Sequence, residues 1–525
     1  MSALPERCDV VVVGAGITGL TTAFQLARGG ADVVLLEAGE RVGGVMEGLR
    51  ADTPEGHWHF ETGPNTVIES HPEVMALIEA AGLSGERVEA DPAAKKRYIW
   101  KQGRLLALPG GPGSLLTTPL LSFRGKARLF AEPLIGKGPE EEQSLADFVH
   151  RRLGREILDN AVAPFVSGVY AGDPERLSLR WAMPKLHELE AEHGGLVKGM
   201  AAKLRAGKKA KKGAARQAAT GAAAPGSASP GSPGSAGAAE PQGPTAGPGQ
   251  PAPDGGAPKR RRGKAMVTFR DGLDTLPRRL AQEIEHAGGR VLTGSPCQRV
   301  LHGDEGFQVE FQGADGGSAV LRAPRVVLTA PADAAARMLE TATGGDSAEL
   351  AEVPYAPVAV GTFGVPLAAL DLDDGGEPLD GFGFLVASRD ADPGAGELRL
   401  LGCLTTSTFF PGRAPEGHAA LTCFAGGRTD PDAVALDDDE LLALYRRDLQ
   451  TSLGLDPDRE LPVAALRRWP RAIPQYELGH GRFADLRDDL QRRLPGLHLA
   501  GNYLDGVSVP DRIRHGTHLA RFLLT

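Results

Sequence analysis

Cysteine is scarce in this chain, and its placement excludes most thiol chemistry. Among 525 residues there are four cysteines, Cys8, Cys297, Cys403 and Cys423, widely spaced and without a CxxC pair. That spacing argues against a zinc knuckle or a dithiol redox centre and leaves reduced thiols as the expectation. No uninterrupted apolar run reaches the length of about 18 residues that a spanning helix needs, and no signal peptide precedes the first strand, so the chain is expected neither to cross a membrane nor to be secreted. Attachment to one membrane surface stays open. Positive charge is also in deficit: the formal net charge is -9. An acidic body of this kind is not expected to bind nucleic acid.

Glycine and proline, by contrast, are abundant, at 70 and 40 residues. Much of the excess lies between Lys203 and Lys264, an Ala/Gly/Pro/Ser-rich stretch with almost nothing that could join a core, which reads as a disordered linker. This stretch holds twelve lysines and arginines against Glu240 and Asp254, a local +10 that leaves -19 for the rest. Its basic clusters, Lys208 to Lys212 and Lys259 to Lys264, either keep the linker soluble or touch anionic lipid. The length predicts two or three packed domains with room for a large buried cofactor.

Asp9 to Val13 reads as a buried strand, Leu20 to Ala27 as a helix stopped by Gly29-Gly30, and Val33 to Leu36 as a second strand, which together make a βαβ unit with a parallel sheet. Its turn is Gly14-Ala15-Gly16-Ile17-Thr18-Gly19. The first glycine makes the tight turn, the second lets backbone approach a pyrophosphate, and the third lets helix pack on strand. The helix N-terminus offers amides and positive potential to the phosphates. Glu37, ending the second strand, is placed to accept from adenosine ribose hydroxyls, and its charge disfavours a 2′-phosphate and hence NADP.

The continuation separates FAD from NAD. Arg41-Val42-Gly43-Gly44 follows, then Glu61-Thr62-Gly63-Pro64-Asn65, and this pattern resembles the flavoprotein class of amine oxidases and protoporphyrinogen oxidases. Arg41 is read as a cation for a phosphate or for the surroundings of Glu37. At the far end, Leu497 to Ala500 reads as a strand, Gly501-Asn502 as a turn, and Gly506-Val507 as the lead into a helix starting near Pro510 and Asp511. Such a helix N-terminus suits the flavin pyrimidine, where negative charge accumulates on reduction.

Between these ends, Tyr98 to Gly138 reads as turns and apolar pieces, followed by a helix that Ser144 and Asp147 open in a capping-box pattern. Val267 to Leu280 and Gly289 to Val300 read as a helix and strands, and Arg325 to Thr329 as another buried strand. Short alternating segments from Pro357 to Gly426 predict an antiparallel sheet.

Outside the linker the chain is similar to the protoporphyrinogen oxidase family over essentially its whole length. The resemblance is carried by Ala93 to Tyr98 (AAKKRY), Phe165 to Asp173 (FVSGVYAGD), Gly381 to Leu385 (GFGFL), Ile473 to His480 (IPQYELGH), and Ala500-Gly501-Asn502 through Gly506-Val507-Ser508-Val509. It implies an α/β plus α+β fold: a Rossmann-like FAD-binding domain, a mixed-sheet substrate domain and a helical membrane-associating domain. The corresponding division is 1–90, 265–340 and 465–525 for FAD, 91–202 for the helical region, 203–264 for the linker and 341–464 for the substrate sheet.

The activity implied is six-electron oxidation of protoporphyrinogen IX to protoporphyrin IX by non-covalent FAD, with O2 as acceptor, in haem biosynthesis. Carried over residue by residue, Arg97 pairs with a substrate propionate, Gly168 keeps the pocket wall clear, and Leu385, Leu404 and Phe424 sandwich the tetrapyrrole. Cofactor contacts fall to Gly14, Ala15, Gly16, Ile17, Thr18, Gly19, Glu37, Arg41, Gly43, Gly44, Val45, Gly63, Pro64, Asn65 and Thr66. Cys297 matches a position whose backbone meets the adenine, and Asn502, Val507, Ser508 and Val509 match flavin contacts. No metal is implied.

The chemistry of such a substrate agrees, since an apolar dianion needs an apolar slot with cations at its mouth. Hydride transfer from a methylene bridge to flavin N5 needs no obligatory side-chain base, because the pyrrole nitrogen releases its own proton. His480 is therefore expected to be structural. The resemblance also implies a cytoplasmic protein held peripherally at the inner face of the cell membrane, through apolar loops from Leu105 to Ile135 flanked by Arg124, Lys126 and Arg128. It leaves a homodimer and a hand-off to ferrochelatase open. Two departures stand out: the long linker, and Ser167 where some relatives have arginine. Competing readings are oxidation of coproporphyrinogen III, which more cations at the slot would favour, an amine oxidase or carotenoid desaturase, and a flavin-bearing but inactive membrane scaffold.

Overall fold

A computed structural model describes residues 6–92, 94–205, 265–313, 316–371, 379–387 and 398–525. Most of the stretch read as a linker, and Ala93 of the first matched segment, lie outside these residues. The N-terminal βαβ unit forms as the spacing predicts, with strands Val10–Val13 and Val33–Leu36 around the helix Ile17–Arg28. Both strands are runs of Val and Leu buried along their whole length, as a parallel sheet covered on both faces requires. Three further strands join them in one five-stranded parallel sheet, in the order Arg290–Leu292, Val33–Leu36, Val10–Val13, Arg325–Leu328, Leu497–Leu499. The sheet therefore gathers the beginning, the middle and the end of the chain.

The last helix, Val509–Leu523, packs against the first. Gly516 permits this contact, because a Cβ there would stand 2.8 Å from the Thr18 carbonyl oxygen. The first and last motifs thus sit side by side at one edge of a shared core.

A second, seven-stranded sheet is mixed. Its order is Val463–Pro474, Tyr355–Pro366, His418–Gly426, Leu400–Thr405, Gly383–Val386, Tyr98–Lys101, Arg104–Ala107. Its central pairings are antiparallel, as the alternation predicts, but Gly383–Val386 runs parallel to Tyr98–Lys101. The helix Asp438–Leu453, opened by an Asp437/Glu440 capping box, shares the core under one face with Phe384, Cys403, Cys423 and Ala425.

Several details depart from the sequence reading. Tyr98 to Ala107 is a hairpin of the seven-stranded sheet, where the reading sees turns inside a helical region. Gln102 and Gly103 close it with φ of 54° and 73°, the left-handed pair that a tight hairpin favours. Val463–Pro474 is one continuous edge strand of the same sheet, so the return to the dinucleotide domain comes after Pro474, later than residue 465. Ser144 does cap the helix Leu145–Leu153, accepting from the Asp147 amide at 3.0 Å. The Asp147 carboxylate, however, accepts from the Ser144 hydroxyl at 2.8 Å. Finally, cysteines distant in sequence are not all distant in space: Cys403 and Cys423 face each other across paired strands, the Cys423 thiol donating to the Cys403 sulfur at 3.4 Å with no disulfide between them.

The helical region packs around Leu145, Phe148, Val149, Leu158 and Val166. It is pinned by fully buried Arg152, which holds Glu132 and Glu190 at 2.6 Å each. No helix among the described residues is long and apolar enough to cross a membrane.

Candidate active site

At the N-terminal turn, Gly14 adopts φ +101°, and its carbonyl lies under the helix so closely that a Cβ on Gly19 would stand 2.0 Å from it. Gly16, in contrast, has nothing within 4 Å of its would-be Cβ. The backbone at Gly16 therefore borders open space at a helix N-terminus, which suits phosphate oxygens. The second glycine pair closes in from the side: the Gly43 amide donates to the Ala15 carbonyl at 2.8 Å, and Gly43 and Gly44 both have positive φ. Gly63 must be glycine, because a Cβ there would meet the Val45 carbonyl at 1.9 Å.

The Glu37 carboxylate accepts from the Ala15 amide at 2.7 Å and the Gly39 amide at 2.8 Å, which fixes it at the strand end beside the turn. The Ser295 amide donates to the Glu37 carbonyl at 2.7 Å, so the chain entering Cys297 runs past the same point. Burial raises the Cys297 thiol to about 12, keeping it protonated and chemically quiet. Arg41, read as a cation for a phosphate or for the surroundings of Glu37, lies against the second glycine pair. It binds the Gly44 carbonyl at 2.7 Å and Glu47 at 2.9 Å, holding the loop in shape, and makes no bond to Glu37.

Thr62 to Thr66 lies between the two sheets. Trp469 of the substrate sheet donates to the Thr62 carbonyl at 2.7 Å. Asn65 donates to the Gly63 carbonyl at 3.0 Å, while its own side-chain oxygen is buried without a partner. Beneath it a narrow crevice is lined by His59, Glu61, Thr406, Phe410 and Arg413, with the Arg413–Glu61 pair at 3.2 Å.

Opposite this loop, sheet register decides which side chains share a face. Leu385 pairs with Gly402, Gly383 with Leu404, and Gly402 with Phe424, so Leu385, Leu404 and Phe424 project from one face. All three are half-buried, whereas Phe384, Cys403 and Cys423 on the other face are buried. Gly168, on the helix Ala163–Tyr170, lies over this face: a Cβ there would meet a Leu385 methyl at 2.4 Å. Val507 of the C-terminal turn packs in the same cluster as Leu385. Exposed Arg97 stacks over Phe382 at 5.1 Å, and Phe382 in turn packs with Leu404. No carboxylate among the described residues forms an ion pair with Arg97.

The far turn, 500–508, ends at the N-terminus of Val509–Leu523, where Ser508 caps by accepting from the Asp511 amide at 3.3 Å. Two residues outside it hold it, and the sequence reading gave neither a role. Arg512, buried, donates to the carbonyls of Gly501, at 3.0 Å, and Asp505. Tyr476 reaches in from the opposite side. An Arg three residues into a helix looks like a solvated charge in sequence; only burial reveals its work.

A strand-turn-helix with open backbone at Gly16, an acid at the next strand end, a second glycine pair and a helix N-terminus from the far end together form a cradle that fits FAD. A model matching flavin containing amine oxidoreductases covers residues 17–524 of this chain. The chain belongs to that family. It is a flavin-dependent oxidoreductase. Curated relatives include a chloroplastic protoporphyrinogen oxidase of Oryza sativa subsp. japonica, 32% identical over 95% of this chain and 85% of the rice protein. A coproporphyrinogen III oxidase of Propionibacterium freudenreichii is likewise 32% identical, over 98% and 90%. Among solved structures, a protein from Exiguobacterium sp. 255-15 superposes with TM-score 0.72 at 22% identity, covering 100% of this chain and 99% of that one. Cyclohexylamine oxidase from Brevibacterium oxydans gives 0.62 at 17%, over 99% of both. These structures share the fold.

Proposed function

We propose that this flavoenzyme oxidises protoporphyrinogen IX to protoporphyrin IX with O2 as acceptor. The observation that carries the proposal is the slot: one half-buried apolar sheet face, bearing Leu385, Leu404 and Phe424, roofed by Gly168 and edged by exposed Arg97. An apolar macrocycle with two carboxylates matches it. Leu385, Leu404 and Phe424 remove a ring face from water, Gly168 lets its helix pack directly on Leu385 at the border of that face, and Arg97 receives a propionate through two parallel hydrogen bonds. Bound flavin supplies the two-electron acceptor. The rice relative carries the same activity in its name.

Coproporphyrinogen III is the second reading, favoured by the equal identity of the Propionibacterium relative and by Lys95, exposed beside Arg97, as a further cation for a tetracarboxylate. Following porphyrin fluorescence with each porphyrinogen in turn decides between them, and the faster substrate names the enzyme. Failure of both to bleach the flavin anaerobically sinks both readings.

Peripheral attachment to the inner membrane face is part of the proposal. Phe123 and Leu134 are 86% and 88% exposed, with Leu116 and Phe130 beside them in sequence, among Arg124, Lys126 and Arg128. Leu120 and Leu121, which the sequence reading assigns to this surface, are instead buried in the helical core. The reading includes delivery of the product to ferrochelatase, tested by co-purification, and a homodimer, tested by sedimentation.

A further inference from the structure

The segment Ile473 to His480 stands out in the sequence, and it packs beside both the slot and the C-terminal turn: Ile473 shares a cluster with Phe424, and Tyr476 shares one with Leu385 and Val507. We propose that it is a clamp for the flavin turn, and that Tyr476 is the positioning residue through which it acts. The Tyr476 hydroxyl donates to the Asn502 carbonyl at 2.6 Å and accepts from the Gly506 amide at 2.7 Å. Those two bonds bracket the turn from 502 to 506. Gly506, with φ +100°, is where the chain swings into the helix N-terminus. The far side of the turn is held by Arg512 through the Gly501 and Asp505 carbonyls. With both sides tied, the peptide planes feeding Val507, Ser508 and Val509 have one orientation. Their amides belong to the helix end, where no intrahelical acceptor exists.

Five further contacts make the clamp rigid. Tyr476 is 2% exposed, and its ring is tilted against that of His480, with centroids 4.4 Å apart. Its own carbonyl accepts from the Ser178 amide at 2.8 Å. Next to it, fully buried Gln475 donates to the Tyr170 carbonyl at 2.8 Å, the end of the helix that carries Gly168. On the other side, Glu477 pairs with Arg428 at 3.0 Å and Arg176 at 2.8 Å. Eight consecutive residues thus tie the roof of the slot and the sheet edge to the turn at the flavin pyrimidine. The consequence is that slot and cofactor keep a fixed mutual placement, which hydride transfer requires to within a fraction of an ångström.

This inference rests on flavin occupying the cradle, and the experiment separates the two. Tyr476→Phe in the full chain keeps the ring and deletes both bonds. Three readouts are compared with wild type: FAD affinity of the apoprotein, the visible spectrum of bound flavin, and hydrogen exchange at the Gly506 amide. The expected result is about tenfold weaker FAD binding, the equivalent of one net buried hydrogen bond, together with a shifted flavin band and faster exchange at Gly506. Exchange in the strand Val463–Pro474 should not change. Faster exchange at Gly506 with unaltered FAD affinity and spectrum would overturn the proposal while leaving the flavin reading intact. Should the variant fail to fold, wild-type protein provides the check: adding FAD to apoprotein must slow exchange at Gly506, and no slowing overturns the clamp. Absence of FAD binding by wild type would instead overturn the flavin reading.

Discussion

Gly168→Ala tests the slot where geometry is least forgiving. The new Cβ would sit 2.4 Å from one Leu385 methyl and 3.3 Å from the other, so Leu385 has to retreat by about 1 Å to regain ordinary van der Waals contact. It is half-buried, and its free direction is across the sheet face toward the space assigned to the macrocycle. Overpacking of a closed core costs about 1–3 kcal/mol. Here the side chain has somewhere to go, so the expected loss of stability is at the low end, about 1 kcal/mol. The larger effect falls on substrate: KM for the porphyrinogen rises about tenfold, corresponding to about 1.4 kcal/mol of lost binding. Steady-state kinetics and thermal unfolding are measured on Gly168→Ala, Leu385→Ala and the double variant. In the double variant the added methyl no longer collides, so the two effects are non-additive and KM returns toward that of Leu385→Ala. An unchanged KM combined with a lowered unfolding temperature would refute the slot, because it would place the collision in plain core.

Further predictions follow from the same geometry. Gly19→Ala drives a methyl to 2.0 Å from a backbone carbonyl that cannot move independently, so purified protein should lose its yellow flavin absorbance; retention of full colour counts against the cradle. Arg97→Ala is expected to raise KM more than it lowers kcat, since the residue positions substrate without reacting, and an unaltered KM would remove Arg97 from the site. Burial depresses His480 to about 4, so the unfolded chain, titrating near 6.5, binds the extra proton between those values. Stability from this group is complete above about pH 6.5 and drains away as pH falls toward 4, by an amount on the order of a few kcal/mol; His480→Phe should flatten that acid limb in urea titrations, and an identical limb would refute the assignment. Replacing Leu116, Phe123, Phe130 and Leu134 with serine should abolish co-sedimentation with anionic liposomes while sparing the unfolding temperature, because none of the four is buried.

The local elements were legible from the residues because their causes are local. Glycine spacing with a terminal acid encodes the βαβ turn, and Val33 to Leu36 reads as a strand with the same bounds in the structure. Ser144 signals its helix by the same kind of short-range bond. Arg97, Gly168, Leu385, Leu404 and Phe424 were reached through resemblance, since taken singly they look like surface arginine, helix glycine and sheet core.

What tertiary structure alone decided is which distant residues meet. Whether Leu120 and Leu121 face lipid or core, and whether Tyr98 to Ala107 is loop or hairpin, depend on partners elsewhere in the chain. Tyr476 and Arg512 act on a turn that each reaches only after the chain has folded, one across 26 residues to Asn502 and the other from within a helix. Sequence fixes backbone preference over a few residues; long-range contacts are chosen by burial summed over the whole fold, and no single segment carries that sum.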